Sequence, residues 1–174
     1  MRAVGDGSRG TDAVALAAAQ ASMESLQEAE HPNCLFCGKG NPIGFKLEFR
    51  VVKPGAVRAA FPCGARFQSY FETLHGGVTS ALLDAAMTNA LFSLGVVAVT
   101  GELTVRFLRP VALGAEAEVT AGVAAASRPL YNLTAEIAQF GRVVARARAK
   151  FVDREWATAE AGGGAAAWAV DRGW

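Results

Sequence analysis

Between Phe45 and Asp153 the chain repeats one pattern, apolar positions alternating with polar ones over short runs. Phe45, Leu47 and Phe49 alternate with Lys46, Glu48 and Arg50, and a period of two predicts a half-buried strand. Lys53-Pro54-Gly55 is a hairpin signal, after which Ala56 to Phe61 returns as a second strand. Further on, Leu103, Val105 and Phe107 alternate with Glu102, Thr104 and Arg106 up to Pro110. Ala117, Val119, Ala121 and Val123 form another run, then Tyr131, Leu133, Ala135 and Ile137, then Val143, Ala145, Ala147, Ala149 and Phe151. Leu113-Gly114, Ser127-Arg128-Pro129 and Gly141 separate them as turns. Connections this short make the later pairings antiparallel.

One stretch breaks the alternation. From Val78 the apolar residues Val78, Ala81, Leu82, Ala85 and Ala86 recur at i, i+3, i+4, i+7 and i+8, which is a helix face. Proline is absent from Glu72 to Arg109, so this helix runs on until Gly95 offers a stop. The order is two strands, one long apolar helix and about four strands, an α+β class. The helix is apolar around most of its circumference, so one sheet face covers only part of it. Either the sheet wraps the helix or a second subunit adds cover.

The ends of the chain have a different composition. Residues 1–33 mix Gly, Asp and Ser with an alanine run, Ala13 to Ala21; with Val14, Leu16, Met23 and Leu26 they make a thin apolar face. They read as an N-terminal arm or peripheral helix. Residues 34–153 form the domain, and 154–174, with Gly162-Gly163-Gly164, read as a flexible Ala/Gly-rich tail. Across 174 residues the net charge of +1 supplies no basic footprint for nucleic acid and no polybasic surface for anionic lipid. No apolar run approaches the roughly 20 residues of a membrane span. The first residues lack a basic-then-apolar export pattern. Three cysteines, an odd number, suit a reducing cytoplasm.

Two features carry chemistry. His75-Gly76-Gly77 opens the long helix, where first-turn N–H groups lack intrahelical partners and face a developing negative charge readily. Inside the helix stands a single acid, Asp84, between Leu83 and Ala85; a lone acid there costs free energy unless it is paired or working. Donors at the helix start and one acid within it point to acyl-transfer chemistry. A second motif, His31-x-x-Cys34-x-x-Cys37, offers half of a zinc site. Cys63 is a single distant thiol and His75 belongs to the glycine motif, so the reading favours a turn packed on the core, with no metal.

The stretch Phe67-Gln68 … Leu74-His75-Gly76-Gly77 … Leu82-Leu83-Asp84-Ala85-Ala86-Met87, with Thr100 to Pro110 after it, resembles the hotdog-fold acyl-CoA thioesterases, most of all the phenylacetate-degradation type. Cys34-x-x-Cys37-Gly38 … Asn41-Pro42-Ile43-Gly44 is similar to a segment ahead of many such domains. The resemblance covers roughly Cys34 to Asp153. It implies a five- to six-stranded antiparallel sheet curled around one long central helix, assembled as a homodimer or a dimer of dimers (a homotetramer). It implies a cytoplasmic hydrolase acting on a small-molecule acyl-CoA, with no cofactor beyond the coenzyme A of the substrate and no nucleic-acid or membrane partner. In that family Asp84 matches the general base or nucleophile, Gly76 the glycine whose N–H polarises the thioester carbonyl, and His75 the first member of the motif. Gln68, Ser69, Gly77 and Thr100 fall at substrate-binding positions, Thr100 where a hydroxyl orients the attacking water. Ser127-Arg128 matches a turn that meets coenzyme A phosphates, whereas the Arg142/Arg146/Arg148/Lys150 row reads as a solvated strand face. Two alternatives remain open, a hotdog dehydratase or hydratase and a non-catalytic acyl-CoA-binding module.

Helix geometry adds an expectation of its own. Gly76 and Asp84 are eight residues apart, so on one helix they lie about 12 Å apart along the axis and roughly 80° around it. An oxyanion donor and an attacking group must both reach one carbonyl, each at about 3 Å. The reading therefore predicts a site shared between two subunits.

Overall fold

The computed structural model describes residues 7–160, with side chains for residues 12–159. The elements are helix α1 (Gly7–Glu30), strands β1 (Arg50–Lys53) and β2 (Ala56–Pro62), and helix α2 (Gly76–Phe92). Strands β3 (Ala98–Phe107), β4 (Glu116–Ser127), β5 (Leu130–Gln139) and β6 (Arg142–Asp153) follow, and then a short helix α3 (Arg154–Glu160). The six strands form one antiparallel sheet in the order β1-β2-β4-β5-β6-β3. Strand β3 reaches β6 only by crossing over, and that crossover connection includes α2. The expected α+β fold, an antiparallel sheet of five to six strands on a central helix, forms with six strands.

The alternation reads out directly. Along β5 and β6, Tyr131, Leu133, Ala135 and Ile137 are buried, as are Ala145, Ala147, Ala149 and Phe151, and they face α2. The residues between them point outward. There Arg146 pairs with Glu136 at 2.8 Å and Lys150 with Glu102 at 2.7 Å, so the basic row is a solvated face. Gly55 (φ 79°) and Gly141 (φ 70°) take the left-handed conformation that their tight hairpins require.

Two parts of the chain depart from expectation. Phe45 to Phe49 alternate in burial but do not join the sheet, which starts at Arg50. Their N–H groups are used elsewhere: Phe45 N donates to Leu35 O at 2.7 Å and Leu47 N to Phe36 O at 2.8 Å. Lys46, at φ 55°, breaks the extended run while its ammonium caps carbonyls of the preceding loop. At the other end, Arg154–Glu160 of the glycine-rich stretch is helical, its first turn capped by Asp153 Oδ1 accepting from Glu155 N at 3.1 Å. Residues 161–174, where the flexible tail was expected, lie outside the described residues.

Helix α1 answers the question of cover. Met23 and Ala19 are buried against the core, and α1 lies along the side of α2 that the sheet leaves open. Polar contacts fix that position. Gln27 Nε2 donates to Asn89 Oδ1 at 2.6 Å, and Ser22 Oγ to the Phe92 carbonyl at 3.0 Å. Gln20 Oε1 accepts from Val51 N at 2.8 Å. Wrapping by the sheet and a layer supplied by α1 together bury most of α2, and Ser80, Ala81, Asp84 and Thr88 stay half-buried. No helix among the described residues is long and apolar enough to cross a membrane.

Candidate active site

The entry to α2 is pinned before the helix begins. His75 N donates to Phe67 O at 2.8 Å and Leu74 N to Val111 O at 2.9 Å. His75 is the N-cap in extended conformation, and its Nδ1 accepts from Gly77 N at 2.8 Å. Accepting at Nδ1 leaves the proton of the neutral ring on Nε2. His75 thus holds the helix start together. A Cβ on Gly77 would lie 3.0 Å from His75 Nδ1, so this glycine serves the cap.

The N–H of Gly76 is unclaimed among the described residues and opens beside a groove lined by Ser69, Tyr70, Thr79, Phe107 and Pro110. Here a methyl group would fit, since the nearest atoms to a Cβ are those of the Phe107 ring at 3.6 Å. Gln68 and Ser69 are exposed at the rim of this entry loop, where Gln68 bridges to Leu74.

Two turns further along α2, Asp84 is half-buried and its Oδ1 accepts from Thr100 Oγ1 at 2.7 Å. Burial holds the Asp84 carboxyl above its ordinary value of 3.8; the Thr100 hydroxyl and His31 pull it down, while Cys34 pushes it up. Thr100 reaches the helix because β3 carries a bulge. It pairs with Phe151 and Glu102 with Lys150, leaving Gly101 as the extra residue. The bulge lets Thr100 face α2 while Glu102 turns outward to its lysine. Sequence alternation missed this register shift, although a glycine inside a strand run is its usual mark.

Asp84 and Thr100 are therefore brought together, whereas Gly76 opens into a groove that Asp84 does not line. Arg128 is already engaged. Its Nε donates to Asp153 Oδ2 at 2.9 Å and its guanidinium also pairs with Glu155 at 2.9 Å. Asp153 first, then Glu155, holds the exposed guanidinium above its ordinary range. Ser127 sits exposed beside it at the β4–β5 turn.

Behind Asp84 the structure gathers a group that sequence spacing had set aside. His31, Cys34 and Cys37 bring a ring nitrogen and two sulfurs within 4.8 Å of one another. Cys37 beside it holds the Cys34 thiol below its ordinary range, while Cys34 and burial push the Cys37 thiol up.

Residues 71–145 match the family model of the thioesterase superfamily. Among solved structures, the chain is similar to the PaaI protein of the phenylacetic acid degradation operon of E. coli. The TM-score is 0.66 at 23% identity, over 77% of this chain and 94% of that one. A hypothetical thioesterase from Streptococcus pneumoniae TIGR4, crystallised with coenzyme A, gives a TM-score of 0.59 at 21% identity, over 62% of this chain and 84% of that one. A thioesterase superfamily protein gives 0.63 at 24% identity over 67% of this chain, which spans only 58% of that protein's length. At these identities the structures show the hotdog fold. No curated protein matches the chain.

Proposed function

From a chain whose residues 71–145 match the family model of the thioesterase superfamily, we propose an enzyme that hydrolyses acyl-CoA thioesters to a free acid and coenzyme A. The observation that carries this reading is a half-buried carboxylate, Asp84, held 2.7 Å from the Thr100 hydroxyl inside a helix with no other charged residue. Such an acid is costly unless it works, and burial raises its basicity toward that of a useful proton acceptor. The coenzyme A bound by the Streptococcus pneumoniae relative supports the substrate class.

In the proposed reaction Asp84 takes a proton from water while the water oxygen bonds to the thioester carbonyl carbon. Thr100 orients the carboxylate. The Gly76 N–H receives the carbonyl oxygen as it becomes an oxyanion. Collapse re-forms the carbonyl, breaks the carbon–sulfur bond and expels the thiolate, which takes the proton back. With Asp84 as nucleophile the same groups serve through an acyl-enzyme that water then cleaves. His75, occupied as a cap, orients the helix start and takes no proton.

The site is completed by a second copy of the chain. One helix separates Gly76 and Asp84 by about 12 Å, so neither can serve the other's carbonyl. Strand β3 is an open edge of ten residues, long enough to pair with its own copy about a two-fold axis. That pairing sets the two α2 helices antiparallel, with Gly76 of one chain near Asp84 of the other. We place this homodimer, or a dimer of dimers, in the cytoplasm.

The test is release of free coenzyme A from a panel of acyl-CoAs by the wild type and by Asp84→Asn. The amide keeps the shape and loses the base, so kcat should fall more than about a hundredfold with melting unchanged. Near-wild-type kcat in the variant removes Asp84 from the mechanism. Mixing Asp84→Asn with Gly76→Pro after dissociation and reassociation should restore activity in the mixed dimers. Mixed dimers that form and stay inactive refute the shared site.

A further inference from the structure

The turn behind α2 has the form of a metal site. A tetrahedral zinc ion, with sulfurs at about 2.3 Å and nitrogen at about 2.0–2.1 Å, keeps its ligand atoms roughly 3.5–3.8 Å apart. The His31 Nδ1 to Cys37 Sγ distance is 3.9 Å, and the three atoms together span no more than 4.8 Å. Closure onto an ion needs movement of about 1 Å or less. In the sequence these three residues read as half of a zinc site, set aside for want of further protein ligands; their convergence in space is what the structure adds.

The backbone is built to converge the three groups. Cys34 N donates to His31 O at 3.1 Å, and Gly38 N to Cys34 O at 3.0 Å. A Cβ on Gly38 would sit 2.2 Å from Cys34 N, so only glycine lets the turn close over that cysteine. Lys46 braces the loop from below, its ammonium donating to Gly38 O at 2.9 Å and Lys39 O at 2.6 Å.

An outer shell is present as well. The buried Asn89 directs its amide Nδ2 at Cys37 Sγ, 4.0 Å away, and is itself oriented by Ala85 O and by Gln27. The His31 ring stands edge-on to Phe92 with centroids 4.8 Å apart, which fixes its plane. Held ligands with oriented partners distinguish a metal site from cysteines that merely fill space. Two sulfurs and an imidazole are soft donors, which select zinc-type ions over calcium or magnesium.

We propose that His31, Cys34 and Cys37 bind one zinc-type divalent ion, with water in the fourth position. His31 and Cys34 are partly exposed, giving the ion a way in. The ion would tie the end of α1 to the Cys34–Cys37 turn, against which Asn89 of α2 packs. This goes beyond the hydrolase reading and does not depend on it.

The probes are Zn²⁺ and Co²⁺, added to the full chain after reduction and removal of metal. One ion per chain should bind, and Co²⁺ should give thiolate charge-transfer absorption with the strong visible bands of a tetrahedral site. Cys34→Ser and His31→Gln should each weaken binding more than about a hundredfold, since outer-shell losses alone cost 10–100-fold. Cys63→Ser should bind as the wild type does. Because a variant in this turn can loosen the fold, the melting temperature of the wild type is read with and without Zn²⁺; it should rise, and should not rise in Cys34→Ser. Reduced wild-type protein that takes up neither ion overturns the site. So does binding that survives both ligand variants.

Discussion

Helix α2 is covered on two sides by two different kinds of contact. On the sheet side, Val57, Val119, Leu133, Ile137 and Phe151 are each at most 1% exposed, and their strands satisfy their own backbone groups through the ladders. On the α1 side the apolar contribution is small, mainly Met23 and Ala19. Individual polar bonds from Gln20, Ser22 and Gln27 set the geometry there. The sheet side makes the fold by area; the α1 side makes it by position. His31, Cys34 and Cys37 gather beside the α1 contacts with Asn89 against them, whereas Asp84 takes its partner Thr100 from β3 of the sheet.

Truncation on each side measures the contrast. Phe151→Ala should cost about 3–5 kcal/mol, the loss of a fully buried ring plus the cavity it leaves. Met23→Ala on α1 should cost about 2–5 kcal/mol, because Met23 is as buried as anything in the sheet. Both are read from denaturant midpoints at constant slope. A Met23→Ala cost below about 1 kcal/mol would mean that α1 rests on the domain rather than belonging to it.

The same contrast explains what was legible in the sequence. Strands from Ala56 onward announce themselves because every second residue faces α2, a pattern dense enough to survive one bulge. The central helix was equally plain, and Asp84 stood out as its only acid. The α1 layer was not legible as core, since one buried methionine and a few glutamine bonds leave no periodicity. Phe45 to Phe49 carry a strand's alternation yet bond to Leu35 and Phe36, a partner choice that no local pattern encodes. The pairing of Thr100 with Asp84 needed the Gly101 bulge, and the approach of His31 to two cysteines needed the turn at Gly38. The ion pairs of Arg128, which the resemblance set at coenzyme A phosphates, with Asp153 and Glu155 were likewise not legible locally.

Gln27→Ala probes the polar kind of cover alone. It leaves the buried Asn89 Oδ1 without its 2.6 Å donor, at a cost of about 1–3 kcal/mol. Replacing Gln27 and Asn89 together, by Ala and Leu, should cost less than the sum of the two single changes. Strict additivity would show that the two side chains do not act as a pair.

The smallest effect is the most specific, and it concerns pH. Burial is the largest influence on Asp84 and raises its pKa; the Thr100 hydrogen bond lowers it by favouring the ionised form. If the carboxylate is the working base, kcat falls as pH drops through this raised pKa, so the acidic limb lies above 3.8. Thr100→Val removes the donor and leaves the burial. The limb should then move to higher pH, with kcat on the plateau lower by about tenfold, the scale of about 1.4 kcal/mol for one lost hydrogen bond to a charged group. Stability carries the opposite signature. A carboxyl whose folded pKa exceeds its unfolded value contributes stability below the unfolded pKa, and that contribution is lost as pH rises through the folded one. Asp84→Asn should therefore flatten that part of the stability profile while abolishing the kinetic limb. A limb that shifts downward in Thr100→Val, or does not shift at all, would show that Thr100 does not set the charge on Asp84.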